Sequence, residues 1–130
     1  MMNKRYSILV AVFVLLSVAL PVLAHHSVTA VYDPTKTIVV KGVLTKVIWA
    51  NPHIFLHVDA TAEGGKVEEY SFESSPPIAL GRAGVKKADF KIGDTVTVTA
   101  MPAKDGSKLG RLNMIKYSDG HVAVFKLGTE

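Results

Sequence analysis

The 130-residue chain contains no cysteine, which removes disulfides, thiolate metal centres, cysteine nucleophiles and lipid-attachment cysteines from every reading of it. In an oxidising compartment such a chain must be held together by the packing of its core alone. Recognisable catalytic patterns are missing too. There is no G-x-S-x-G elbow, no phosphate-cradling glycine loop and no HExxH zinc helix, and no local pattern gathers a serine, a histidine and a carboxylate. No catalytic residue and no organic-cofactor site is assigned, so the sequence points to binding rather than catalysis. Charge of one sign is not concentrated. The formal net charge of +4 comes from 15 basic and 11 acidic residues, without the basic stripe that nucleic-acid binding needs. Nucleic acid is therefore not an expected partner, and Lys86-Lys87 reads as a solvated loop or helix face.

One long apolar run is present, at the start. Lys4 and Arg5 precede an almost wholly apolar stretch from Ser7 to Leu20, and Val22 and Ala24 supply the small or modest side chains a signal peptidase reads. The stretch from Tyr6 to Ala24 approaches a bilayer-spanning length. Pro21 and the polar His25-His26-Ser27 that follow, with no basic cluster behind them, favour cleavage after Ala24 over a retained anchor. The expected organisation is a signal peptide over 1–24, an N-terminal arm over 25–36 and a β-domain over 37–130. The product would be periplasmic or secreted, with no membrane anchor after cleavage. Cleavage would leave 106 residues with a formal charge of +2, enough for one small domain with a modest core.

From Thr37 onward short β-branched runs alternate with turn residues, an all-β pattern. Gly42 falls inside the first run, Ile38 to Trp49, and predicts a bulge or sharp bend. After the Asn51-Pro52 turn, strict alternation over residues 53–59 places Ile54, Leu56 and Val58 on the core face and His53, Phe55, His57 and Asp59 on the other. Glu63-Gly64-Gly65-Lys66 predicts a hairpin turn, and Val67 to Glu73 a third strand. Pro77 to Ala88 is the one helical candidate, kept short by Gly81 and Gly84. Strands follow over Thr95–Met101, Leu109–Tyr117 and His121–Leu127. Three strands, a short helix and two or three more strands give the order of a small OB-like Greek-key barrel of five to six strands, with an open β-sandwich as the alternative. Closure would remove exposed strand edges.

The ordered set AHHS, WANPH, ESSPPIALGRAG and IGDTVTVTAMPAKDG resembles a bacterial family of small exported proteins catalogued as a domain of unknown function. The resemblance covers nearly the whole chain after the leader. The family commonly carries an aromatic after the glycine at position 84, where this chain has Val85, and the family name implies no activity.

The residues that carry chemistry are the histidines. Cleavage after Ala24 would give His25 a free α-amine beside its imidazole, a chelating pair whose amine proton a metal displaces near neutral pH. His26 adds a second imidazole, and the amide between them can deprotonate for Cu(II), whose tetragonal preference suits nitrogen ligands and which leads the divalent affinity series. Two modes follow: a brace from His25 completed by an imidazole of the barrel, or a local chelate through the amine, the amide and His26. His53 and His57 are separated by about 13 Å on a regular strand, too far to share an ion through ring nitrogens about 2 Å from it. His53, beside the Asn51-Pro52 turn, is the expected third ligand; His57 reads as a surface residue and His121 as a turn residue. The expected metal site is thus His25 and His26, with His53 as the ligand the barrel would add and copper as the ion that suits it best. A competing expectation is a non-catalytic adaptor, its barrel groove near Trp49, Asn51, His53 and Phe55 holding a peptide, a glycan or an envelope protein. Trp49 also suits a core-capping role. A metal-dependent redox enzyme is a third reading, without a substrate cleft visible in the sequence. Glu73, Ser75 and Arg82 are expected to form a structural polar cluster where the third strand meets the helix.

Overall fold

A computed structural model describes residues 27–125. A short helical turn α1 (Val28–Val31) leads into six strands: β1 (Ile38–Ile48), β2 (Phe55–Thr61), β3 (Val67–Glu73), β4 (Thr95–Pro102), β5 (Leu109–Tyr117) and β6 (Val122–Val124). Helix α2 (Pro77–Arg82) and a 3-10 turn at Lys87–Asp89 connect β3 to β4. The strands run in the order β3-β2-β1-β4-β5-β6, and a parallel pairing of β3 with β5 closes the first five into a barrel. This is the OB-like connectivity that the strand–helix–strand order predicted; β6 is an extra strand on β5.

Closure is possible because β1 serves two neighbours. Its first half, Ile38–Val43, pairs with β4, and its second half, Val43–Ile48, with β2. The bulge expected at Gly42 sits three residues later, at Thr45, where the register with β2 shifts between Leu44 and Lys46. Gly42 answers a different need: a Cβ there would lie 2.3 Å from the backbone oxygen of Asp59, so only glycine lets β1 pass this close to β2. The hairpin between β2 and β3 turns at Gly64 and Gly65, both at positive φ.

Inward residues fill the barrel as alternation predicts. Ile54, Leu56 and Val58 are fully buried against Phe72, Val96, Val98, Leu112 and Ile115. Leu80 of α2 and Phe90 after the 3-10 turn join this core. The helix stops sooner than expected, at Arg82, because Gly84 adopts positive φ and the Val85 N–H returns to the Leu80 carbonyl. A second, smaller apolar cluster lies outside the barrel wall. Tyr32 packs there on Met101 and Ala103, with Val28 and Leu109 alongside, and bridges to Ala103. The segment before β1 is thus fastened across the outer face of β4 and β5.

Candidate functional site

The outer face at the β3–β5 seam holds a polar cluster centred on Glu73. Its position follows from the ladder: Glu73 is the last residue of β3, opposite Phe55 of β2 on one side and Arg111 of β5 on the other. His53 precedes β2, and its neighbour Ile54 is anchored by backbone hydrogen bonds with Ser74 and Ser75, which carry the ladder one step past the strand ends. Tyr32 arrives from the arm.

Three of these side chains meet on the carboxylate of the fourth, Glu73. Nδ1 of His53 lies 2.8 Å from Glu73 Oε1. Nη1 of Arg111 donates to the same oxygen at 3.2 Å and to the Ser74 carbonyl at 2.6 Å. The Tyr32 hydroxyl donates to Glu73 Oε2. The arrangement has an electrostatic cause: the Arg111 side chain is only 8% exposed, and a buried guanidinium requires a counter-charge that Glu73, itself 16% exposed, supplies. Burial, reinforced by the hydrogen bond to Glu73 and by its charge, raises the Tyr32 hydroxyl well above the ordinary tyrosine value, so it remains a donor at neutral pH. Nε of Arg111 and Oγ of Ser74 are buried with no partner among the described residues, so the cluster keeps unused hydrogen-bonding capacity. Only His53 reaches well into solvent, with its side chain 41% exposed.

The matching model is that of a family described as a family of unknown function, DUF6152, over residues 12–113. The chain belongs to DUF6152. No match was found among curated proteins or among solved structures. Membership of DUF6152 agrees with the resemblance drawn from the sequence, and it leaves the chemistry of this member to be argued from its residues.

The structure separates the residues singled out in the sequence of this DUF6152 chain. His25 and His26 lie outside the described residues. His53 joins the Glu73 cluster, whereas His57 pairs with Ser71 on β3 and its ring contacts Glu69 at 3.1 Å, so the two histidines face different carboxylates. His121 sits in a turn, its N–H bonded to Asp119 and its ring stacked on Tyr117. Trp49 is half-buried against the core with its ring tilted on Phe90 at 6.0 Å, Phe55 is half-buried, and Asn51 is exposed. The cluster expected from Glu73, Ser75 and Arg82 does not form: Glu73 turns to Tyr32, His53 and Arg111, because the buried guanidinium outcompetes the exposed one of Arg82. Among the described residues no group of three His, Cys, Asp or Glu side chains is placed to hold a metal.

Tyr32 and Arg111 were not singled out in the sequence. Arg111 alternates with Leu109 and Asn113 away from the core-facing Gly110 and Leu112, which reads as a solvent position; it is instead buried, turned onto Glu73 and the Ser74 carbonyl. A lone charge inside the apolar run Leu109–Ile115, and a lone aromatic in the arm, are the signals that mark them.

Proposed function

We propose that this protein is exported and binds a metal ion, best suited to be Cu(II), through His25 and His26 of a terminus freed by cleavage, with His53 as the ligand supplied by the barrel. One observation carries the reading: Glu73 contacts Nδ1 of His53 through one oxygen and holds the arm through Tyr32 with the other. A carboxylate against one ring nitrogen is the usual second partner of a metal-ligating histidine; it fixes the ring and leaves Nε2 for the ion. The same carboxylate fastens the segment that carries His25 and His26. From Tyr32 back to His25 the chain reaches at most about 24 Å when extended, less through the helical turn, which keeps the terminus within range of this face. Because His53 is not joined by two further ligands among the described residues, an ion held there needs donors from the arm, and a terminal amine with two imidazoles supplies them.

The test is Cu(II) titration of three proteins: one beginning at His25, one with an added N-terminal methionine, and His53→Ala. Binding through the amine and His53 predicts weakening by at least about tenfold in each altered protein. Equal affinity in the first two contradicts the amine ligand, and an unchanged His53→Ala protein leaves only a local chelate. Intact mass of the secreted protein checks the cleavage.

A further inference from the structure

A second surface, away from the Glu73 cluster, combines a free strand edge with an apolar cleft and unpaired positive charge. Pairing of β1 with β4 ends at Val43, whereas pairing with β2 continues to Ile48. Alternate backbone groups of residues 45–48 therefore face away from β2 and meet no strand. Opposite them runs the 3-10 turn and its exit, and between the two lies a cleft of about 670 Å³ lined by Thr45, Lys46, Val47, Lys87, Phe90 and Ile92, among others. Its floor is apolar, from Val47 and Phe90, and Ile92 stands 59% exposed at its rim. The volume lies within the range of binding clefts.

Charge selects the occupant. Lys46 and Lys87 line the cleft and Lys86 and Lys91 flank it in sequence, and none of the four forms an ion pair among the described residues. Of the two carboxylates in the connection from α2 to β4, Asp89 is engaged in accepting the Lys86 backbone N–H at 2.8 Å, and Asp94 forms no ion pair with these lysines among the described residues. An open edge offers main-chain hydrogen bonds to an extended chain, an apolar floor takes every second side chain, and the lysines take anionic ones. We infer that this cleft docks an extended peptide segment in which acidic and apolar residues alternate, added as a strand along the free edge of β1. This reading is independent of the metal site, since it uses no residue of the Glu73 cluster.

The experiment uses the secreted protein and fluorescein-labelled six-residue peptides alternating glutamate and valine, read by anisotropy. Strand addition predicts saturable binding, lost by at least tenfold when lysine replaces glutamate in the peptide and equally when Lys46→Glu and Lys87→Glu are combined in the protein. The two exposed substitutions leave the melting temperature unchanged within a few degrees. Because only one edge of the peptide faces β1, N-methylation along that edge abolishes binding and along the other preserves it. Peptide binding indifferent to both methylation patterns overturns strand addition. Failure of the peptide to bind, with lysine-dependent adsorption to phosphatidylglycerol vesicles in its place, overturns the peptide as occupant in favour of an anionic membrane surface.

Discussion

Replacing Glu73 with glutamine keeps the side-chain shape and removes the charge on which Tyr32, His53 and Arg111 converge. The guanidinium of Arg111, almost fully buried, would keep its bond to the Ser74 carbonyl but lose its counter-charge. Breaking a buried pair by removing one partner costs about 3–5 kcal/mol; the glutamine amide oxygen still accepts one hydrogen bond, which sets the expectation for Glu73→Gln near the lower end, about 3 kcal/mol. For a domain of this size that corresponds to a fall of roughly 12–24 °C in melting temperature. Urea denaturation followed by the fluorescence of Trp49, the single tryptophan, half-buried beside Phe90, measures it. The Glu69→Gln protein serves as the comparison, because the carboxylate of Glu69 contacts His57 from an exposed position and its loss is expected to cost under about 0.5 kcal/mol. Replacing the whole buried group, as Tyr32→Phe, Glu73→Leu and Arg111→Met together, removes the uncompensated charge and is expected to recover much of the loss. If Glu73→Gln and Glu69→Gln unfold at the same urea concentration, the argument that Glu73 neutralises a buried charge is wrong.

Tyr32→Phe keeps the ring on Met101 and Ala103 but deletes a hydrogen bond to a carboxylate, with an expected loss of about 1.5–3 kcal/mol by the same urea assay; a loss under 0.5 would mean that the ring alone holds the arm. Stability should also fall in alkali. Burial raises the Tyr32 hydroxyl, and burial with the nearby charges of Asp89, Asp94 and Asp119 pushes that of Tyr117 up to about 12. The unfolded tyrosines ionise near pH 10, so above that pH the folded state holds more protons than the unfolded one. The contribution is complete below about pH 10 and declines as pH rises towards about 12; melts that stay level across this window contradict it. Gly42→Ala would drive a Cβ into the Asp59 carbonyl at 2.3 Å and should cost on the order of 3 kcal/mol or more, whereas Gly81→Ala, with nothing within 4 Å, should stabilise α2 by roughly 0.5–1 kcal/mol. Thermal melts of the two alanine variants, moving in opposite directions, check the pair.

Much of the barrel was legible because its signals are local. Alternation over Ile54, Leu56 and Val58 fixes one face of β2, the paired glycines fix the hairpin, and the placement of α2 between β3 and β4 suggests the OB-like order. The bulge was misplaced because Gly42 answers a clash with β2, a neighbour sixteen or more residues away that alternation does not reveal. Of the Glu73 cluster the sequence marked His53 and Glu73, the latter with the wrong partners. Arg111 is held by Glu73 and the Ser74 carbonyl, 38 and 37 residues earlier, and Tyr32 gains its role from a carboxylate 41 residues later in the chain. Contacts of that range leave no periodic trace; the trace they leave is a charged residue where an apolar strand has no evident use for one.

In the proposed site an ion held at a terminus beginning with His25 also takes His53. This shared ligation is read most directly from the pulsed electron paramagnetic resonance spectrum of a Cu(II)-loaded protein beginning at His25 beside that of its His53→Ala variant, through the modulation from the remote nitrogens of bound imidazoles. Shared ligation predicts one bound imidazole fewer in the variant, together with weaker binding. An identical modulation in the two proteins would contradict it and reduce the site to a chelate made by the terminus alone.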